Sequence, residues 1–258
     1  MAEIVAFKAR NAGNSWSIAK FRNAESGNFG LQTSVNDSIR GSPKESGFVT
    51  FQPVSTFFIA RLKPIVFVLA LLPLLWMVWD AWHGGLGANP VEAITHRTGS
   101  WGLRFLLLTL AITPFRRLTG WSRILRVRRM LGLYAFFYVS IHFAIWLILD
   151  HFFDWQEIVT DIIKRPYITV GFVAFVLLVP LAITSTDAMI RRLGRRWRQL
   201  HQAVYLIAVL GVLHFLWLVK ADWREPVVYG LVLIGLLTLR TPAMVARMER
   251  WRNGVFAN

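Results

Sequence analysis

The sequence predicts an all-α membrane protein: a bundle of six transmembrane helices with both termini cytoplasmic, preceded by a poorly ordered polar N-terminal tail. Three observations carry this. The chain is 55% hydrophobic over 258 residues with a mean hydropathy of +0.47, too apolar for an ordinary soluble domain. Its apolar residues fall in six long runs, at 62–82, 98–115, 131–149, 168–184, 200–219 and 226–239. Its 29 Lys and Arg, against 14 Asp and Glu, sit in short clusters between those runs, the pattern of basic flanks rather than of a nucleic-acid surface. Nucleic acid is therefore not an expected partner; the lipid bilayer is.

Residues 1–56 are rich in Ser, Asn and Gly and show no sustained helical or alternating period, the composition of a poorly ordered extension. No secretory signal is expected there, because the first long apolar run begins near Phe57. Residues 57–245 form the expected membrane domain and 246–258 a short basic cytoplasmic tail. The first five runs approach the roughly 20 residues that a bilayer requires, and the sixth is short. The loop after the second run carries Arg116, Arg117, Arg123, Arg126, Arg128 and Arg129, and the loop after the fourth carries Arg191, Arg192, Arg195, Arg196 and Arg198. Both are read as cytoplasmic, and the intervening loops, with Asp150, Asp154, Glu157 and Asp161, as outer. With Arg247, Arg250 and Arg252 near the end, both termini fall inside, which requires an even number of spans. Pro114 and Pro180 lie near span ends, where neighbouring helices can satisfy the freed carbonyls.

Six histidines divide by depth. His83, His96 and His151 fall in or beside the outer loops and read as solvated residues, whereas His142, His201 and His214 lie inside predicted spans, where an ionisable side chain is costly and read as functional. His142 lies roughly 16 Å into the third span from its cytoplasmic end and His214 roughly 21 Å into the fifth, so both reach the outer half. They are placed to grip one haem iron from opposite helices, each through a neutral ring nitrogen. The alternative is a pair of interhelical hydrogen bonds in a haem-free permease or assembly factor. The aromatic residues Phe136, Phe137, Tyr138, Trp146, Phe215 and Trp217 suit a flat porphyrin and suit lipid or core equally. His201 lies about 20 Å nearer the cytoplasm than His214, and on an ideal helix the two side chains point about 140° apart. It is a candidate ligand of a second haem or an interfacial histidine, and the third span offers no matching inner histidine: Arg128 and Arg129 stand there, to pair with haem propionates or to face water. The absence of cysteine excludes disulfides, thiolate ligation, iron–sulfur clusters and covalent attachment, so any haem must be held without a covalent link, with histidine the leading ligand.

The runs His83-Gly-Gly-Leu-Gly-Ala-Asn-Pro90, His96-Arg-Thr-Gly99, Arg165-Pro-Tyr167, Thr184-Ser-Thr-Asp-Ala-Met189 and Trp197-Arg-Gln-Leu-His-Gln-Ala-Val-Tyr205, with His214, resemble the MsrQ (YedZ) family of the ferric-reductase-like transmembrane superfamily. The resemblance covers about residues 61–239 and leaves 1–56 outside. It implies a b-type cytochrome of the bacterial inner membrane that delivers electrons to the periplasmic molybdenum-containing reductase MsrP for repair of oxidised methionine in proteins. It implies haem iron ligands at His142, His201 and His214, an FMN as a second cofactor, and electrons drawn from the quinone pool or a cytosolic flavin reductase. Relatives with two haems carry two histidines on each of two helices, and this chain lacks the inner histidine on the third span. A free-standing ferric or quinone reductase of the same superfamily is the other reading. No nicotinamide or FAD module is legible in the sequence, so donor and acceptor are expected to be separate molecules and the substrate-reducing site to lie on the partner.

Overall fold

The structure is a computed structural model that describes residues 5–9, 16–22, 29–33, 55–219 and 222–256. The chain divides into two compact units, residues 1–52 and 53–258. In the first, three strands, β1 (Val5–Ala9), β2 (Trp16–Arg22) and β3 (Phe29–Thr33), form an antiparallel meander in the order β1-β2-β3. Phe7 lies opposite Ile18, and Ala19 opposite Gln32. The alternations that support them, Trp16 with Ile18 and Phe29 with Leu31, are too short to register as a sustained period. The remainder of the expected polar tail lies outside the described residues.

The second unit is helical: α1 (Ser55–Trp82), α2 (Pro90–Thr119), α3 (Leu125–Ile145), α4 (Trp155–Lys164), α5 (Pro166–Ile183), α6 (Asp187–Leu193), α7 (Arg195–His201), α8 (Ala203–Leu218), α9 (Arg224–Thr238) and α10 (Pro242–Phe256). Its boundaries follow local chemistry. The Asn89 side chain accepts from the Glu92 N–H at 3.3 Å with Pro90 opening the helix, Asp154 caps α4 and Thr186 caps α6. Among the described residues four helical segments are long and apolar enough to cross a membrane, at Leu62–Trp82, Ser122–Asp150, Pro166–Ile183 and Arg195–Leu218, or five if α9 and α10, bent by 76°, form one. The expected six spans are thus met in part. The second expected span corresponds to α2, which has the length, at 30 residues, but is diluted by Gly99, Ser100, Gly102 and Arg104. Its interior position explains the dilution: Leu103, Phe105, Leu106, Leu107 and Leu110 are buried, whereas α1 exposes Phe67, Val68, Leu72, Leu75 and Trp76. A helix packed on its neighbours tolerates polarity that a lipid-facing one does not. The residues expected as a short basic tail are largely helical, as the second half of α10.

Two of the prolines inside helices, Pro73 and Pro114, are stitched by neighbours. Beside Pro73, the Tyr138 hydroxyl inserts into the α1 ladder, accepting from Leu74 N–H at 3.1 Å and donating to the Ala70 carbonyl at 2.9 Å, while Tyr134 one turn away donates to Phe67 at 3.0 Å. Pro114 lacks the N–H that would reach the Leu110 carbonyl, and the Arg240 guanidinium from the α9–α10 bend donates to it instead. Helix α2 packs most extensively on α3, and α5 on α8; these two pairs frame the cavity described next.

Candidate functional site

Between the two helix pairs lies a cavity of about 590 Å³, within the range of small-molecule sites. His142 enters it from α3 and His214 from α8, with ring centroids 6.1 Å apart and ring planes at 75°. The same local device positions each ring. The His142 Nδ1 lies 2.9 Å from the Thr95 carbonyl of α2, and the His214 Nδ1 lies 2.7 Å from the Tyr167 carbonyl of α5. Four residues after each of these carbonyls comes a glycine. A Cβ on Gly99 would stand 3.1 Å from the His142 ring, and one on Gly171 would stand 2.7 Å from Nδ1 of His214. Because residues four apart share a helix face, the bare position at Gly99 or Gly171 clears the approach to the carbonyl one turn before it.

Each Nδ1 has only a carbonyl acceptor as partner, so it carries the proton and leaves Nε2 with its lone pair for a metal. Two imidazole–metal bonds of about 2.0–2.1 Å, with half a ring added at each end, span about 6 Å, in agreement with the centroid separation. Among the described residues no group of three or more His, Cys, Asp or Glu is placed to hold a metal ion. A metal shared by these two rings must therefore bring its remaining ligands with it, as a planar macrocycle does. Phe143, Phe172, Phe175 and Phe215 line the walls, and Phe143 and Phe175 stack at 4.7 Å. The residues present fit haem.

Of the aromatic candidates, Trp146 and Phe215 line the cavity, Tyr138 is spent on α1, and Phe137 and Trp217 are exposed. His201 lies outside the cavity lining. Its ring stacks on Trp197 at 3.9 Å, with Nδ1 3.1 Å from the Trp197 carbonyl and Nε2 3.5 Å from the Ser185 hydroxyl. The expected fifth span is met as one segment, Arg195–Leu218, in which a single turn residue of helical conformation, Gln202, separates α7 from α8. Arg128 and Arg129 are likewise outside the lining. Arg129 pairs with Asp187, and that hydrogen bond holds the exposed Asp187 carboxyl below its ordinary range.

The reading of His151 as a solvated residue is corrected, whereas His96 is exposed, as expected. His96 lies within α2 and lines the cavity. His151 is buried, because α3 loosens into a π-helical turn at Trp146–Asp150 that folds the ring back onto Trp146 at 4.5 Å. Its Nε2 lies 3.2 Å from one oxygen of buried Asp161, whose other oxygen forms an ion pair with Arg165 Nε at 3.2 Å. His151, Asp161 and Arg165 line the cavity together with Glu92, Asp150 and Glu157, and the exposure of the Glu92 and Arg165 side chains places this charged end towards its opening. Only the repeated carbonyl-to-glycine spacing, Thr95 to Gly99 and Tyr167 to Gly171, stands in the sequence as a signal of the ligand seats; no periodicity announces the π-helical turn.

Residues 98–212 match the ferric reductase like transmembrane component family. Among curated proteins, the protein-methionine-sulfoxide reductase heme-binding subunit MsrQ of Xanthomonas euvesicatoria pv. vesicatoria is 56% identical over 192 residues, 72% of this chain and 88% of that protein. Its counterpart from Herminiimonas arsenicoxydans is 51% identical over 81% of this chain and 96% of the relative, and that from Rhodospirillum rubrum is 54% identical over 73% and 90%. No solved structure matches the chain. At this identity, over nearly the full length of these relatives, the chain belongs to the MsrQ family of protein-methionine-sulfoxide reductase heme-binding subunits.

Proposed function

We propose that the chain is the b-type cytochrome subunit of a two-component reductase of the bacterial inner membrane, passing electrons outward to a periplasmic catalytic partner, MsrP, that reduces methionine sulfoxide in proteins. The observation that carries this reading is the pair His142 and His214, facing each other at 6.1 Å with both Nδ1 atoms bound to backbone carbonyls. Haem b, when bound there, supplies reversible one-electron transfer. The histidines would ligate it through Nε2, and the carbonyls of Thr95 and Tyr167, 2.9 and 2.7 Å from Nδ1, orient the rings and raise their basicity. The phenylalanine walls exclude water and hold the local dielectric low, which tunes the potential.

Six spans, α1, α2, α3, α5, α7–α8 and α9, with cytoplasmic termini, are the topology that goes with this function. The arginine-rich loops between α2 and α3 and between α5 and α7 support it. The donor, the quinone pool or a cytosolic flavin reductase, would then work from the membrane or the arginine-rich face, and the acceptor from the mouth rimmed by Glu92, Asp150 and Glu157. The test is the visible spectrum of the purified full chain, with haem and flavin quantified per polypeptide, followed by mixing of the reduced protein with MsrP or with ferric chelates. Rapid reoxidation by MsrP is expected. A colourless folded preparation from haem-replete cells overturns the cytochrome reading, and reoxidation by chelates alone overturns the choice of partner.

A further inference from the structure

We infer that Arg165, anchored by Asp161 and His151 at the mouth of the cavity, is the seat of the cofactor's carboxylate side chains, an inference that rests on the haem reading above. Haem b brings two carboxylates as well as an iron, and a site that holds the iron must also satisfy those charges. The mouth is otherwise hostile to them, since Glu92, Asp150, Glu157 and Asp161 all line it. Among the described lining residues Arg165 is the sole Lys or Arg.

Its placement is built from several directions. The Arg165 N–H closes α4 by donating to the Asp161 carbonyl at 3.0 Å, and its own carbonyl accepts from Ile168 N–H at 2.9 Å as α5 begins. One guanidinium nitrogen, Nε, is spent on Asp161 at 3.2 Å, and Asp161 is held from its other oxygen by His151. The two terminal nitrogens, with the Tyr167 side chain close beside the guanidinium, make no hydrogen bond to an acid among the described residues and form a planar fork suited to carboxylate, on a side chain that is 54% exposed. The first turn of the 18-residue α5 starts at the next residue and contributes Tyr167 and Ile168 to the lining, so the positive end of its dipole adds to the same charge. Arg128 and Arg129, the arginines that sequence position nominates for this role, do not line the cavity.

The test uses the full-length apoprotein in detergent, titrated with free-acid haemin and with haemin dimethyl ester, in which both carboxylates are blocked. Wild type should bind the free acid about tenfold more tightly or better, the scale of a charge-assisted hydrogen-bonded pair. Arg165→Gln should lose that discrimination while still binding the ester, and Arg165→Lys should keep part of it. The haem midpoint potential should fall in Arg165→Gln, because removing a cation favours the ferric form, and rise in Asp161→Asn. Equal affinity of wild type for acid and ester overturns the inference without recourse to a variant, as does full discrimination in Arg165→Gln. Failure of the haem reading looks different: neither porphyrin gives a Soret band with wild type, or His142→Ala and His214→Ala bind both unchanged.

Discussion

The pair His142 and His214, outer in the proposed topology, and His201, inner in it, begin alike, as histidines inside apolar helices, and end in different surroundings. Each outer ring has a carbonyl from a neighbouring helix on Nδ1, a glycine where a side chain would crowd it, and a cavity in front of Nε2. The inner ring lies flat on Trp197, with one nitrogen on a carbonyl of its own helix and the other beside the Ser185 hydroxyl. Depth in a membrane therefore marks a histidine as costly, and what decides its role is whether neighbouring backbone has been cleared to aim it. Around His142 and His214, glycines do the clearing; around His201, tryptophan fills the space.

The sharpest way to break this contrast is to remove the rings one at a time. His142→Ala or His214→Ala should abolish the b-type absorption bands of the purified protein, whereas His201→Ala should leave the band of the outer site in place; loss of that band in the His201 variant would show that the two regions are not independent. Next in size is Gly171→Ala, whose new Cβ would stand 2.7 Å from Nδ1 of His214, closer than packed atoms approach. Haem content should fall severalfold or more, and Gly99→Ala, at 3.1 Å, should do the same to a smaller degree. A smaller effect belongs to the scaffold: Tyr138→Phe leaves the Leu74 N–H and Ala70 carbonyl without their bridge, at about 1–3 kcal/mol, read as a lower thermal midpoint with an unshifted Soret band. Smallest is Asp187→Asn on the inner face. Its pair with Arg129 is exposed and screened, so spectrum and midpoint should both be unchanged near neutral pH. Because Arg129 holds the Asp187 carboxyl below its ordinary range, the pairing persists at neutral pH and lapses only as pH falls through that depressed value.

How much of this was legible in the sequence varies with the range of the interaction. The long apolar runs marked α1, α3, α5 and α8, and helical rise alone put His142 and His214 at matching depth. The run that became α2 was read correctly as a helix but began later than the structure has it: Pro90 and the Asn89 cap start it a turn and more before the apolar residues do. His151 could not be read as buried, since its position depends on a π-helical turn, and a change in hydrogen-bond register leaves no mark on hydropathy. Arg165 escaped for a related reason. It sits in a loop between an amphipathic helix and a span, and only the fold of α4 against α5 brings it to the cavity mouth. The arginines that sequence depth favoured, Arg128 and Arg129, lie away from the cavity, and one is occupied by Asp187.

The carbonyl that aims each histidine belongs to the helix paired with it: α2 serves His142 on α3, and α5 serves His214 on α8. Each pair thus holds both a ring and the carbonyl that aims it, and in chain order the first pair precedes the second. Haem held between His142 and His214 would clasp these two helix pairs together across one seam. Withholding haem should loosen that seam, raising backbone hydrogen exchange along the faces of α3 and α8 that meet at the cavity, while the contacts within each pair stay protected.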